Sequence, residues 1–91
     1  MGYIWDPDKA RSNRRKHGVD FADAIGVFED AFALTRPDPY PTEARSATVG
    51  RDFLGRIVVV VWTLDAGEIR PIMARRATPR ERRSYTEEAD E

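Results

Sequence analysis

Polar residues dominate the first predicted helix, which is unusual for a helix on a small domain. Asp6 is a good N-cap with Pro7 in the first helical position, and Gly18 is a C-terminal stop. Within Asp8–His17 only Ala10 is apolar, whereas a surface helix ordinarily shows three or four apolar positions in two turns. Burial in a core therefore does not explain the residues of this helix.

The next segment has the opposite pattern and predicts a helix that faces the core. Asp20 is a good N-cap for it. The apolar positions then recur at the i, i+3, i+4, i+7 spacing of a buried stripe: Phe21, Ala24, Ile25 and Phe28. We assign this second helix to structure alone.

Five β-prone segments predict a small sheet, namely Tyr3–Trp5, Phe32–Thr35, Ala44–Val49, Arg56–Leu64 and Glu68–Ala74. The run Ile57–Trp62 is apolar at every position, as expected of a central strand covered on both faces. Asp65–Gly67 is a hairpin turn. The three prolines of Arg36–Glu43 predict an irregular, exposed loop.

A capping box formed by Thr78 and Glu81 opens a final helix that we expect to run to about Glu88. The order of elements predicts an α+β domain, with a mostly antiparallel sheet, two N-terminal helices and one C-terminal helix. The length suits one small core. We expect residues 1–88 to form this single domain and residues 89–91 to be an acidic, frayed end.

Charge is segregated along the chain although the formal net charge is only −1. One basic block runs from Lys9 to Lys16 and another from Arg70 to Arg83, with acidic residues between them, so the local field matters more than the total. The absence of cysteine excludes disulfides and thiolate chemistry, and a single histidine disfavours a His-rich metal site; we expect no cofactor. Ile57–Trp62, the longest apolar run, is too short to span a bilayer, which predicts a soluble, cytoplasmic protein.

Five arginines lie between Met73 and Tyr85, where a predicted strand runs into a predicted helix. The guanidinium group is always charged, and its planar fork of donors matches phosphate oxygens. The alternative is that these arginines form a solvated helix face. The second basic block favours a phosphate-bearing partner such as RNA.

Cleavage of RNA requires a base for the 2′-hydroxyl, an acid for the leaving 5′-oxygen and cations for the phosphate. His17 is the only histidine, and it shares one helix face with Asn13 and Lys9 at successive i+4 positions. Its alternative role is to interact with the carbonyls at the helix C-terminus. The second proton-transfer group would be Glu81, Tyr85, Lys9 or Lys16, although the capping box explains Glu81 and core burial explains Tyr85 equally well. Arg45 and Arg56, at the starts of strands, are either phosphate contacts or gatekeepers.

Several motifs together resemble the BrnT family of toxins. They are W-D-P-D-K, N-R-R-K-H-G-V-D-F-A-D-A, E-A-R with V-G, G-R with V-V-V-V-W-T, I-R, A-R-R-A-T, E-R-R and the tyrosine that follows, and they extend from Trp5 to Tyr85. The resemblance implies a RelE-like α+β fold, a metal-independent ribonuclease that inhibits translation, and neutralisation by a BrnA antitoxin with a ribbon-helix-helix domain. DNA would be reached only through that antitoxin.

The resemblance also implies which residues form the site: Lys9, Asn13, Lys16, His17, Arg45, Arg75, Arg76, Glu81, Arg82 and Tyr85. We expect His17, Arg75, Arg76, Glu81 and Tyr85 to be catalytic, and Lys9, Asn13, Lys16, Arg45, Arg80 and Arg82 to bind RNA phosphates, with no metal ligand among them. Two positions depart from the family pattern, because Pro71 and Met73 stand where an aliphatic residue and a serine are more usual. Pro71 lacks a backbone donor, so its strand should lie at a sheet edge or carry a bulge.

The leading interpretation is therefore a ribonuclease toxin that binds RNA and an antitoxin. The second is a non-catalytic module whose basic face binds a DNA-binding antitoxin and modulates transcription. The third is a housekeeping scaffold whose arginines are simply solvated. The sequence alone leaves the acid and base unassigned among His17, Glu81 and Tyr85.

Overall fold

A computed structural model describes residues 2–39 and 44–89 of the chain. Within these described residues the fold consists of three helices and a sheet of four strands. The helices are α1 (Pro7–His17), α2 (Phe21–Ala24), which continues as a 3₁₀ turn (Ile25–Glu29), and α3 (Pro79–Ala89). The strands are β1 (Leu34–Asp38), β2 (Arg45–Arg51), β3 (Ile57–Asp65) and β4 (Glu68–Arg76).

The strands pair in the order β1-β2-β3-β4, and every pair is antiparallel. β3 lies inside the sheet, and Val58–Val61 are buried on both faces, so the prediction of a central strand is confirmed. A two-residue turn, Ala66–Gly67, joins β3 to β4, and both residues have the positive φ that such a hairpin turn requires (51° and 81°). The α+β class predicted from the sequence is confirmed.

The core lies between β3 and the α2 segment, whose buried stripe differs from the predicted one. Phe21, Ala24 and Val27 are fully buried, whereas Ile25 is only half-buried. The reason is the change from α to 3₁₀ geometry after Ala24, because a repeat of three residues brings Val27 rather than Ile25 onto the face of Ala24. The core-facing helix was predicted correctly, and so was the contact of Phe28, which is half-buried and packs against the core; Ile25 was not.

Two predictions about strands were wrong. Tyr3–Trp5 is not a strand, because Tyr3 makes only an isolated parallel bridge to Ile69. β1 continues through Pro37 to Asp38, where an irregular loop was predicted. Pro37 is tolerated because β1 is an edge strand, which has a partner on one side only. Pro39 has no regular structure, as predicted, and residues 40–43 of the predicted loop lie outside the described residues.

Pro71 occupies the kind of position that its chemistry predicts. β4 is the other edge strand, and its pairing with β3 shifts between Val61 and Trp62. Val61 pairs with Met73 and Trp62 with Pro71, which leaves Ile72 as the extra residue of a bulge. Both expectations for Pro71, an edge and a bulge, are confirmed.

Asn13 joins α1 to the sheet. Its Nδ2 donates to the carbonyl oxygens of Val19 and Ala74, both at 2.9 Å, and its Oδ1 accepts from the Ala74 N–H at 3.1 Å. The side chain thus pairs with Ala74 as a neighbouring strand would, at the outer edge of β4. Asn13 is only 6% exposed and both amide hydrogens are used, so its assignment as a phosphate-binding residue is corrected.

We predict that Asn13→Ala lowers the free energy of unfolding by about 3 kcal/mol, because it leaves the Ala74 N–H and two carbonyl oxygens without their partner. Urea denaturation followed by circular dichroism measures this change. Arg15→Ala, on the exposed side of the same helix, is the control and should change stability by less than about 0.5 kcal/mol. Equal effects of the two substitutions would show that Asn13 does not hold α1.

Candidate functional site

A groove between α1 and β4 contains the only histidine of the chain. We call it the histidine groove; its volume is about 250 Å³, and it is lined by Lys9, Ser12, Asn13, Lys16, His17, Ile72 and Met73. Lys9, Lys16 and His17 are exposed on it. The prediction that Lys9, Asn13 and His17 share a face is confirmed, although Asn13 serves the fold.

A second groove gathers four arginines from three parts of the chain. We call it the arginine groove; its volume is about 450 Å³, and its polar lining is Arg51, Arg56, Arg76, Arg82 and Thr86. The sequence analysis assigned Arg76 to catalysis and Arg82 to phosphate binding, and the structure places both here. Arg51 was missed because it lies outside both basic blocks; its pairing with Ile57 across the β2–β3 hairpin was the available signal.

Arg56 links the arginine groove to the C-terminal cap of α1. Its Nε and Nη2 each lie 2.8 Å from Oδ2 of Asp52, whose side chain is fully buried, so this arginine is already paired. Its remaining nitrogen, Nη1, donates to the Gly18 carbonyl at 3.4 Å. Gly18 directly follows His17 as the left-handed C-cap of α1 (φ 71°), so the histidine end of α1 lies beside the arginine groove.

Arg75 and Glu81 form an ion pair where β4 leads into α3. Arg75 Nη1 and Nη2 donate to the two carboxylate oxygens of Glu81 at 2.7 and 2.9 Å. The predicted capping box is confirmed as well, because Thr78 N–H donates to Glu81 Oε1 at 2.8 Å and Glu81 N–H donates to Thr78 Oγ1 at 3.2 Å. Arg75 and Glu81 are thus paired with each other within the chain.

The ion pair changes the titration of both groups. The hydrogen bonds from Arg75, together with the smaller effect of the Thr78 amide, lower the pKa of Glu81 to about 2 against the opposing effect of partial burial. The same pair raises the pKa of Arg75. A carboxylate with so low a pKa is a weak proton acceptor at neutral pH, which disfavours Glu81 as the general base.

Tyr85 is a core residue whose hydroxyl bonds to a carboxylate. It is 3% exposed, and its hydroxyl donates to Asp30 Oδ2 at 2.6 Å. Burial, followed by this bond to a carboxylate, raises the pKa of Tyr85. The pKa of Asp30 is lowered. Burial alone would raise it, but the hydrogen bonds from Tyr85 and from the backbone N–H groups of Arg51 and Phe32 outweigh that effect. Tyr85 thus anchors α3 to the body of the domain.

The other two predicted site residues lie apart from both grooves. Arg45 is half-buried at the start of β2, opposite Asp38 of β1. Arg80 is exposed on the first turn of α3 and lines a third groove, over the face of the sheet. The structure therefore divides the predicted site between a histidine groove, an arginine groove and groups engaged in internal contacts.

Comparison with known proteins identifies the family. The model of the ribonuclease toxin BrnT of type II toxin-antitoxin systems matches residues 5–81. The chain belongs to the BrnT toxin family. The crystal structure of the Brucella abortus ribonuclease toxin BrnT is similar to it, with a TM-score of 0.64 and 29% identity over 86% of this chain and 99% of that chain. None of the curated protein sequences compared with the chain matches it significantly.

Membership in the BrnT family implies an RNA target and an antitoxin partner. Within residues 2–39 and 44–89 no group of three or more His, Asp or Glu side chains is placed to hold a metal ion. In the same part of the chain no helix is both long enough and apolar enough to cross a membrane.

The Glu81 pKa gives a test of the ion pair in this BrnT-family fold. The folded-state pKa of about 2 lies below the ordinary value of 4.5, so ionised Glu81 stabilises the fold above pH 4.5 and this contribution is lost as the pH falls to about 2. We expect Glu81→Gln to cost about 1 kcal/mol at pH 7, since the pair is one third exposed, and to flatten the decline in this range. Urea denaturation across the pH range measures both effects. Glu87→Gln, an exposed carboxylate on the same helix, should keep the steep decline; a flattened curve for both variants would contradict the assignment.

Proposed function

We propose that this chain is an endoribonuclease that cleaves RNA where the histidine and arginine grooves meet, and that it inhibits translation in this way. The observation that carries the proposal is the bond from Arg56 to the Gly18 carbonyl, which brings the α1 end with His17 beside the arginine groove. The only imidazole of the chain is thus one residue from a backbone carbonyl bonded to a lining arginine of that groove. RNA cleavage needs both kinds of group.

The arginine groove supplies the phosphate contacts. Arg76 and Arg82 are exposed there, whereas Arg56 is paired with Asp52 and contributes geometry more than charge. Arg51 is oriented by its bond to the Gly55 carbonyl at 3.0 Å and by its position over the Tyr85 ring, 5.8 Å from the centroid. A guanidinium group held in this way loses little freedom when it binds a phosphate.

His17 is the proton-transfer group in this proposal, because an imidazole can accept a proton and release it near neutral pH. It takes the proton of the 2′-hydroxyl as that oxygen attacks phosphorus, and the bond to the 5′-oxygen breaks. The products are a 2′,3′-cyclic phosphate and a free 5′-hydroxyl. Lys9 or Lys16, on the same groove, protonates the leaving oxygen, while the arginines stabilise the phosphate charge.

This scheme assigns no step to a metal ion, since arginine side chains supply the positive charge. We therefore propose that cleavage is metal-independent and continues in the presence of a chelator. Glu81 and Tyr85 act by holding α3 and Arg75 in place. Arg75 is then a positioning residue at the β4–α3 junction.

The partner that neutralises the chain is proposed to be a BrnA-like antitoxin with a ribbon-helix-helix DNA-binding domain. An acidic segment of such a protein fits the two basic grooves by charge and blocks RNA by occupying them. The complex would bind DNA only through the antitoxin. Both partners and the ribosome meet in the cytoplasm, which is the location we propose.

The proposal predicts that His17→Ala slows RNA cleavage roughly hundredfold or more, the usual contribution of general acid–base catalysis. Arg82→Ala should weaken RNA binding roughly tenfold through the loss of a charge-assisted contact. The measurements are cleavage of a labelled RNA in the presence of EDTA, analysis of the product ends, and binding by fluorescence anisotropy.

Arg83→Ala is the matched control for Arg82, because both arginines are exposed on α3 and only Arg82 lines the arginine groove. The control should bind and cleave RNA like the unaltered chain. Equal losses of RNA binding for the two substitutions would show that the arginine groove contributes only general positive charge. If the folded, unaltered chain cleaves no RNA yet binds an antitoxin, the non-catalytic interaction module is the correct function.

A further inference from the structure

Two large apolar side chains are exposed at the end of the turn that joins β2 to β3. Phe53 is 56% exposed and Leu54 is 62% exposed, and within the described part of the chain no other two exposed large apolar residues are adjacent in sequence. We call this pair the apolar tip. Single exposed apolar residues are ordinary on a protein surface, whereas a cluster of them favours contact with a partner. No step of the proposed cleavage uses either residue.

The turn that carries the apolar tip is held by hydrogen bonds along its whole length. Each backbone N–H of residues 52–56 has an acceptor. The buried Asp52 accepts two of these bonds through Oδ1, at 3.0 and 2.8 Å, and the N–H of Phe53 donates to the Asp23 carbonyl at 3.0 Å. A side chain on so fixed a backbone loses less freedom when it binds a ligand than one on a mobile loop.

Close contact with the 3₁₀ turn fixes Phe53 further. Gly26 is buried beneath it, and a Cβ at Gly26 would lie 2.5 Å from the Phe53 nitrogen and 2.9 Å from Phe53 Cγ. Only a glycine therefore fits at that position without moving the turn. The root of the Phe53 ring is held against the domain, while more than half of the residue stays in solvent.

The apolar tip borders the arginine groove. Leu54 and Gly55 belong to the lining of that groove, together with Arg51 and Arg56. Arg51 also binds the turn itself, because its Nη1 donates to the Gly55 carbonyl at 3.0 Å. A nucleotide whose phosphate binds in this groove thus meets an apolar side chain at its edge. An aromatic ring next to a cationic groove is a recurring arrangement in proteins that bind single-stranded RNA, because unpaired bases stack on the ring.

We propose that the apolar tip is a base-stacking contact of the RNA site. An unpaired base stacks on the ring of Phe53 and touches Leu54, while the neighbouring phosphates bind the arginine groove. Every base has a flat π face, so this contact strengthens binding without selecting a sequence. The inference rests on the proposed RNA substrate and adds an RNA-binding residue, Phe53, that carries no charge.

Binding of a strand that cannot be cleaved tests this contact separately from catalysis. A fluorescent 2′-O-methyl RNA oligonucleotide lacks the nucleophile of the proposed reaction, and anisotropy measures its affinity for the full chain. Phe53→Ala should weaken binding roughly tenfold, as expected for the loss of one base–aromatic stack. Phe53→Trp should keep the affinity of the unaltered chain. Phe53→Leu, which retains an apolar side chain without a ring, should bind as weakly as the alanine variant.

Phe32→Ala is the matched control, because Phe32 is equally exposed (57%) but precedes β1 and is not part of the lining of the arginine groove. It should leave the affinity unchanged. The salt dependence of binding gives a second measure. Phe53→Ala should keep the slope of log affinity against log salt, since no phosphate contact is lost, whereas Arg82→Ala should reduce that slope by about one.

Urea denaturation establishes that each variant is folded under the binding conditions. Equal affinities of the folded Phe53 variants would overturn the proposal, and so would equal losses for Phe53→Ala and Phe32→Ala. Full affinity of Phe53→Leu would also overturn it, because an aliphatic side chain cannot stack. If the Phe53 variants bind the oligonucleotide normally but an antitoxin more weakly, the apolar tip is a protein contact and the proposal is wrong. Binding that depends on Phe53, in a chain that cleaves no RNA, would support this inference and contradict the proposed cleavage alone.

Discussion

The hydrogen bonds between Asn13 and Ala74 are the constraint on which the rest of this structure depends. α1 has almost no apolar stripe, so a single buried amide, bonded to the edge of β4 and to Val19, fixes the helix where hydrophobic packing ordinarily would. One consequence is structural, because the amide covers part of an open sheet edge. The other is functional, because the remaining faces of the helix are free to carry Lys9, Lys16 and His17.

Buried and half-buried carboxylates divide the arginines into two classes, those paired within the fold and those exposed on its surface. Asp52 binds Arg56 and Glu81 binds Arg75, while Asp30 accepts the Tyr85 hydroxyl. These contacts shape the β2–β3 turn and hold α3 against the sheet. Arg76 and Arg82 remain exposed on the arginine groove, so a chain with a net charge of −1 still presents a basic surface. The ion pairs within the fold thus determine which arginines are exposed on the proposed ribonuclease surface.

Features that depend on neighbouring residues could be predicted from the sequence. The caps of α1 and α3, the β3–β4 hairpin, the central β3 strand and the edge position of Pro71 all follow from local chemistry. Features that depend on distant partners could not. Asn13 meets Ala74 across 61 residues and Tyr85 meets Asp30 across 55, and nothing near either residue indicates such a partner. Arg51 is a different case, because its pairing with Ile57 across the hairpin is local, but it lies outside both basic blocks of the sequence.

The central claim is that the Asn13 contact places His17 at the junction of the two grooves, and a double-mutant cycle on RNA cleavage tests it most directly. Asn13→Ser, assayed at a temperature where the variant is folded, should slow cleavage roughly tenfold when His17 is present, because small displacements of a catalytic group are costly. In the His17→Ala background the same substitution should have almost no further effect. A tenfold loss in both backgrounds would contradict the account, since Asn13 would then act on cleavage without acting through His17.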